Sequence, residues 1–266
     1  MAIGIITGSG IHALPALEVQ EVASVPTPFG AVELTRGGLA GAEVLHLSRH
    51  GAGHVRLSNH VTHRANVWAL RAVGVQAVVG CTACGAVDPE LELGSLIVFD
   101  DIHFPSNRLP EGDLCTFFSE PEQPERAHWV LHGPPLAGGV REALLAGARE
   151  SGLAVRERGI YGHVDGPRFN TPSEIAALRA AGVTAVSQTG GPETVLCGEL
   201  ELPYGLIGFV TDYANEVRRG QTTPVAELVA LMGRSPSAFA AVLAGAVPRL
   251  AAERPAPAGT VLRLGG

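Results

Sequence analysis

The chain has no lysine: all 19 of its basic residues are arginine. Without a side-chain amine it cannot build a Walker A loop, a pyridoxal Schiff base or a lysine-dependent aldolase site. Cysteine is scarce too. Cys81, Cys84, Cys115 and Cys197 are too few for a secreted disulfide framework. Cys81 and Cys84 have the spacing of half a zinc or redox motif, with no second pair to complete it. No basic excess exists either: 26 acidic residues against 19 basic ones give a net charge of −7, so a nucleic-acid footprint is not expected. An anionic ligand would need a small local pocket of donors. No apolar run reaches about 18 residues, and Met1-Ala-Ile-Gly-Ile-Ile lacks a basic leader, so a soluble cytoplasmic protein is expected.

What is present is ample core material, 46% hydrophobic residues in 266. Short apolar strands are expected at 3–6, 77–81, 95–99, 154–161, 185–188 and 204–211, with a hairpin over 32–48 turning near Arg36-Gly37-Gly38. Helical spacing is expected over 59–73, 140–151, 172–181, 192–199 and 224–246. Residues 105–135 read as a long functional loop. This alternation implies a single α/β domain over 1–253, with a central mixed, largely parallel twisted sheet flanked by helices, and a loosely held tail over 254–266. In such a sheet ligands sit beyond the strand ends.

Small and polar segments fall at those ends. Thr7-Gly8-Ser9-Gly10 offers backbone amides and a hydroxyl to an anion, or is an ordinary glycine turn. Position 13 is Ala, so the third glycine of a dinucleotide loop is missing and a dehydrogenase is disfavoured. Arg49-His50-Gly51 supplies a planar fork and an imidazole, suited to phosphate or to a surface ion pair. His50/His54 and His60/His63 have metal-like spacings but no acidic or thiol neighbour, and no metal is expected. Thr82-Ala83-Cys84-Gly85 is a second anion-reading corner. Phe169 and Asn170, after a Gly-Pro turn, suit a planar base, although Phe169 could equally belong to the core. Ser187-Gln188-Thr189 enters a helix with hydroxyls suited to ribose or phosphate. Asp212 ends an apolar strand, where a carboxylate needs a partner or a task. Together they suggest phosphate plus a planar heterocycle.

The order of Thr27-Pro28-Phe29-Gly30, Arg49-His50-Gly51, Ala65-Asn66-Val67-Trp68, Thr82-Ala83-Cys84-Gly85, Gly166-Pro167-Arg168-Phe169, Pro192-Glu193 and Thr211-Asp212-Tyr213 resembles the trimeric purine nucleoside phosphorylase family. The resemblance is nearer to its 5′-methylthioadenosine phosphorylase branch. It implies phosphate-dependent cleavage of a purine nucleoside, with phosphate as co-substrate, no cofactor and a homotrimer or dimer of trimers. It further implies that Ser9, Arg49, His50, Thr82, Thr189 and the Ala83 amide hold phosphate, with Arg49, His50 and Asp212 catalytic. Phe169, Asn170, Gln188 and Asp212 would meet base and ribose. By the same resemblance Val225, Leu228 and Val229 line an apolar pocket for a 5′-methylthio group, or are simply a helix core face, and His128 reaches across a subunit boundary. Asp212 favours a 6-aminopurine, hence S-methyl-5′-thioadenosine. Ala214 stands where that branch has a second acid, Gln188 where it has Met, and Asn170 where 6-oxopurine enzymes have Glu. The alternatives are therefore a phosphorylase for 6-oxopurine nucleosides (methylthioinosine, inosine or guanosine) and, more distantly, a non-catalytic nucleoside-binding protein.

Overall fold

The computed structural model describes residues 2–9, 11, 13–51, 53, 55–119, 127–218, 220 and 222–264. Gly10 of the first loop, His54 of the histidine pair and residues 120–126 of the long loop lie outside them.

The sheet is organised around one strand. β5 (Ala77–Ala86) runs parallel to β1 (Ile3–Thr7) along one edge and parallel to β12 (Tyr204–Tyr213) along the other. Its far end pairs antiparallel with β11 (Val183–Ser187) at Gly85 and Ala86. The expected strand over 77–81 continues through Thr82–Ala86 because β12 satisfies that backbone on one side. β1 is buried at all five positions, which is why it reads as one apolar run.

A meander of β2 (Glu18–Val25), β3 (Val32–Leu39) and β4 (Ala42–Ser48) extends the sheet beyond β1. Its hairpin turns at Ala40 and Gly41, both at positive φ, and not at Gly37-Gly38. Gly37 lies inside β3 because a Cβ there would come 2.5 Å from the Glu18 carbonyl oxygen on β2. β2 itself is mostly exposed and has no apolar pattern to reveal it.

Beyond β5 stand β6 (Leu96–Val98), β7 (Asp101–His103), β9 (Val155–Arg156) and β10 (Ile160–His163). The last two replace the single strand expected over 154–161. β10 lies parallel between β11 and β7. A 3-10 turn (Ser58–His60) precedes α1 (His63–Ala72), where one helix over 59–73 was expected.

Helices cover both faces, as the alternation implies. α1 and α4 (Gly190–Glu199) bury Ala65, Leu70, Leu196 and Cys197 in one apolar cluster. α2 (Gly138–Ser151) and α5 (Val225–Glu253) bury Val140, Leu144, Phe239 and Leu243 in the other. α5 is by length and composition able to cross a membrane, and its inner face instead packs on α2 and β12. α3 (Pro172–Ala180) starts from a capping box between Thr171 and Glu174, with Pro172 in the first turn.

The tail corrects an expectation. Thr260–Arg263 forms β13, antiparallel to β8 (Ala127–Val130), and the Trp129 indole donates to the Ala258 carbonyl at 2.9 Å. Those backbone bonds hold residues that composition alone marks as loose.

Candidate active site

A cavity of about 290 Å³ opens where β1, β5, β11 and β12 end, with the residues following β4 completing its wall. Ser9, His50, Thr82, Ala83, Phe169, Asn170, Gln188, Thr189, Asp212 and Leu228 all border it. Residues up to 219 positions apart in the chain, Ser9 and Leu228, thus meet in one space.

One end is rich in hydroxyls. Thr82 Oγ1 and Ser187 Oγ lie 3.0 Å apart across β5 and β11. Ser9 Oγ is 3.5 Å from His50 Nε2. His50 Nδ1 sits 2.8 Å from the Arg56 carbonyl, which can only accept, so Nδ1 carries a proton and Nε2 faces Ser9. The amides of Thr189 and Gly190 both donate to the Tyr161 hydroxyl, at 3.1 and 2.9 Å. The first α4 donors are therefore occupied by a phenol, and Thr189 offers the cavity its side chain. Burial pushes the Tyr161 pKa up to about 12, against those two amides, so it stays neutral.

Arg49 departs from its expected place. It is fully buried and does not border the cavity. Its Nε and Nη2 bind the two carboxylate oxygens of Glu193, the second at 2.7 Å, and Nη1 donates to the Cys81 carbonyl at 2.6 Å. Tyr204 donates to Glu193 Oε2 at 2.8 Å. Burial alone would lower the Arg49 pKa, but the Glu193 carboxylate more than offsets it and the guanidinium stays charged. The sequence placed this fork on phosphate. The structure spends it on an ion pair one layer behind Gly8, where a Cβ would sit 3.0 Å from Nη1.

The opposite end carries the acid. β12 shifts register at Thr211, and Asp212 then pairs with Gly85. Burial raises the Asp212 pKa, opposed by a 2.8 Å hydrogen bond from the Thr211 hydroxyl. Phe169 is 66% exposed on the rim, which removes it from the core. Gln188 has a defined job: its oxygen accepts from Ser58 at 2.6 Å and its nitrogen donates to the Arg168 carbonyl at 3.1 Å. It ties the turn before α1 to the Gly166–Asn170 loop, and Gly166 leaves no room for a Cβ between Gln188 and Ser58.

Of the expected 5′ wall, only Leu228 borders the cavity. Val225 and Val229 are 77% and 60% exposed. Val225 opens the helix and Val229 lies about 100° round it from Leu228, so the wall is made instead by Leu228 and Met232, one turn apart, with Leu57. His128 is the exposed residue of β8, opposite Leu262, and does not border the cavity. Leu57, Ser58 and Met232 carried no local signal. Ser187 was visible only as part of its polar strand end. All four cysteines are free and buried, with Cys81 pushed up to about 12 by burial. No group of three or more metal-ligating side chains occurs among the described residues.

Comparison with known proteins agrees with this geometry. The sequence profile of the phosphorylase superfamily matches residues 2–248. A 6-oxopurine nucleoside phosphorylase of Pyrococcus furiosus is 34% identical over 255 residues, covering 95% of this chain and 94% of that protein. An S-methyl-5′-thioadenosine phosphorylase of Mycobacterium tuberculosis is 34% identical over 259 residues, covering 95% and 90%. Among solved structures, a methylthioadenosine phosphorylase from Schistosoma mansoni in complex with adenine superposes with a TM-score of 0.85 at 26% identity, covering 95% of this chain and 92% of that one.

Proposed function

The chain belongs to the phosphorylase superfamily, and from that premise we propose that it cleaves the N-glycosidic bond of a purine nucleoside with inorganic phosphate, releasing the free base and a ribose 1-phosphate. The observation that carries this reading is the polarity of the cavity: hydroxyls and an imidazole at one end, one carboxyl of raised pKa at the other.

In this reading phosphate lies among Ser9, His50, Thr82, Ser187 and Thr189, next to the Ala83 amide. As the glycosidic bond lengthens, C1′ gains cationic character and the base gains negative charge. A phosphate oxygen stabilises the cation and then bonds to C1′, while Asp212 gives its proton to the leaving base. Interactions that strengthen only in that state lower the barrier, about tenfold in rate for each ~1.4 kcal/mol. Arg49 acts from behind this end, as a fixed buried cation that its partner Glu193 holds in register.

Leu228, Met232 and Leu57 fit an apolar 5′ substituent such as methylthio. A 5′-hydroxyl buried there unpaired would cost about 1–3 kcal/mol. Two bases fit the reaction. A protonated Asp212 can donate to N7 of either, and its second oxygen can accept from a 6-amino group. The exposed apolar side chains of Phe169, Val225 and Val229 support coverage by a second copy of the chain, in a trimer or dimer of trimers. Phosphate-dependent release of base from 5′-methylthio and 5′-hydroxyl purine nucleosides tests the proposal. No release from any of them at saturating phosphate would overturn it.

A further inference from the structure

The Asn170 amide on the cavity wall is held one way round. Its Nδ2 lies 3.2 Å from Glu174 Oε2, and an ionised carboxylate can only accept, so the atom turned toward Glu174 must be the nitrogen. Glu174 is kept ionised by its surroundings. Arg168 binds both of its oxygens, at 2.7 and 2.8 Å, and the Thr171 amide donates at 2.9 Å. These partners draw its pKa down to about 2. Glu174 is also the third residue of α3 and half of its capping box, so it approaches Asn170 from a regular element rather than from the loop.

Asn215 obeys the same rule. Its Nδ2 donates to the Asn170 backbone carbonyl at 2.5 Å, which again spends the nitrogen and leaves the oxygen. Among the described residues, neither Oδ1 accepts a hydrogen bond from the protein. Both residues border the cavity beside Asp212, and between Asp212 and Asn215 the chain offers only Tyr213 and the small apolar Ala214.

We propose that Glu174 sets which base the cavity accepts: by holding the Asn170 nitrogen it leaves a carbonyl oxygen, alongside that of Asn215, on the wall that meets the base, and this wall selects a purine presenting a ring N–H, a 6-oxopurine, over adenine, whose corresponding ring nitrogen is itself an acceptor. The assignment rests on the reading of the cavity as a nucleoside site. It makes Glu174 a positioning residue, since it acts through Asn170 and need not touch the base. It also assigns Asp212 its protonated role, because O6 and N7 of a 6-oxopurine both accept.

The test compares kcat/KM for 5′-methylthioinosine and 5′-methylthioadenosine at saturating phosphate, in the native protein and in Glu174→Gln. Glutamine keeps the length and capping ability of glutamate but can present either its oxygen or its nitrogen, so Asn170 is free to turn round. The native protein should prefer the inosine compound by about tenfold or more, the size of one mismatched hydrogen bond. In Glu174→Gln that preference should fall by about tenfold, with KM for phosphate unchanged. Loss of stability alone would lower both activities and leave their ratio in place. A native preference for the adenine compound, or a ratio in the variant within twofold of the native ratio, overturns the proposal. Calorimetric titration with free hypoxanthine and adenine separates it from the reaction itself. Tighter binding of hypoxanthine, lost in Glu174→Gln, sustains the proposal even if no nucleoside is cleaved.

Discussion

The two ends of the cavity are held by different means. Behind the hydroxyl-lined end, Arg49, Glu193 and Tyr204 form a network from which water is excluded, closed over by Gly8 and anchored in β12 and α4. At the Asp212 end, Phe169 is mostly exposed, Asn170 and Glu174 are half-buried, and Arg168 reaches out from a surface loop. Members of a buried ion pair cannot be exchanged singly, because the survivor is left charged and unsolvated. Residues in a loop can be exchanged one at a time at small cost to the fold. The contrast explains how relatives named for 6-oxopurine and for methylthioadenosine substrates can match this chain at equal identity. In the proposed reading the shared reaction draws on the buried network together with Asp212, and the choice of base on the exposed loop.

That contrast can be broken most severely at Glu193. Glu193→Ala strands a buried guanidinium, at a cost of about 3–5 kcal/mol. Thermal denaturation should then show the melting temperature lower by more than about 5 °C, and a fall under 2 °C would place the network outside the stability of the fold. Arg168→Ala, on the exposed side, should leave melting almost unchanged.

Next in size is Asp212. Asp212→Ala should lower kcat by about a hundredfold or more, the scale of a lost general acid. Its raised pKa gives the effect a sign in pH. If the protonated form acts, base release falls as pH rises through that value, and Asp212→Asn abolishes the fall. A native profile flat from pH 4 to 8 would contradict the role.

A smaller effect sharpens the 5′ wall. Leu228→Ala with Met232→Ala should raise KM for 5′-methylthio nucleosides roughly tenfold, from lost apolar contact. The 5′-hydroxyl nucleosides should change little. Equal change in both would remove these residues from the 5′ end.

The mildest prediction concerns acid. His46 is lowered to about 4 and His63 and His163 to about 3, all by burial. Below the unfolded value of 6.5 the unfolded chain binds more protons, so stability is lost as pH falls from about 6.5 toward 3. Melting curves taken from pH 7 to 4 check this, and a melting temperature that rises on acidification would contradict it.

Much of this was legible in the sequence because apolar runs and glycine-rich strand ends are local. The strands at β1, β5 and β12, the helices on both faces and most cavity residues follow from them. What stayed hidden depended on partners distant in sequence. Arg49 looks like an anion ligand until Glu193, 144 positions away, is seen to bind it. Gly37-Gly38 looks like a turn until the Glu18 carbonyl is seen against it. Val225 and Val229 share an apolar pattern with Leu228, and only the rotation of α5 turns Leu228 to the cavity and leaves the two valines exposed. The tail gained its order from β8, whose own pattern is weak.

The most direct test is to follow base release from 5′-methylthioinosine, inosine, 5′-methylthioadenosine and adenosine side by side, with and without phosphate. The account predicts release only when phosphate is present, one ribose 1-phosphate ester formed per base, and the fastest turnover for 5′-methylthioinosine. Release of base at the same rate without phosphate, or from none of the four, would contradict it.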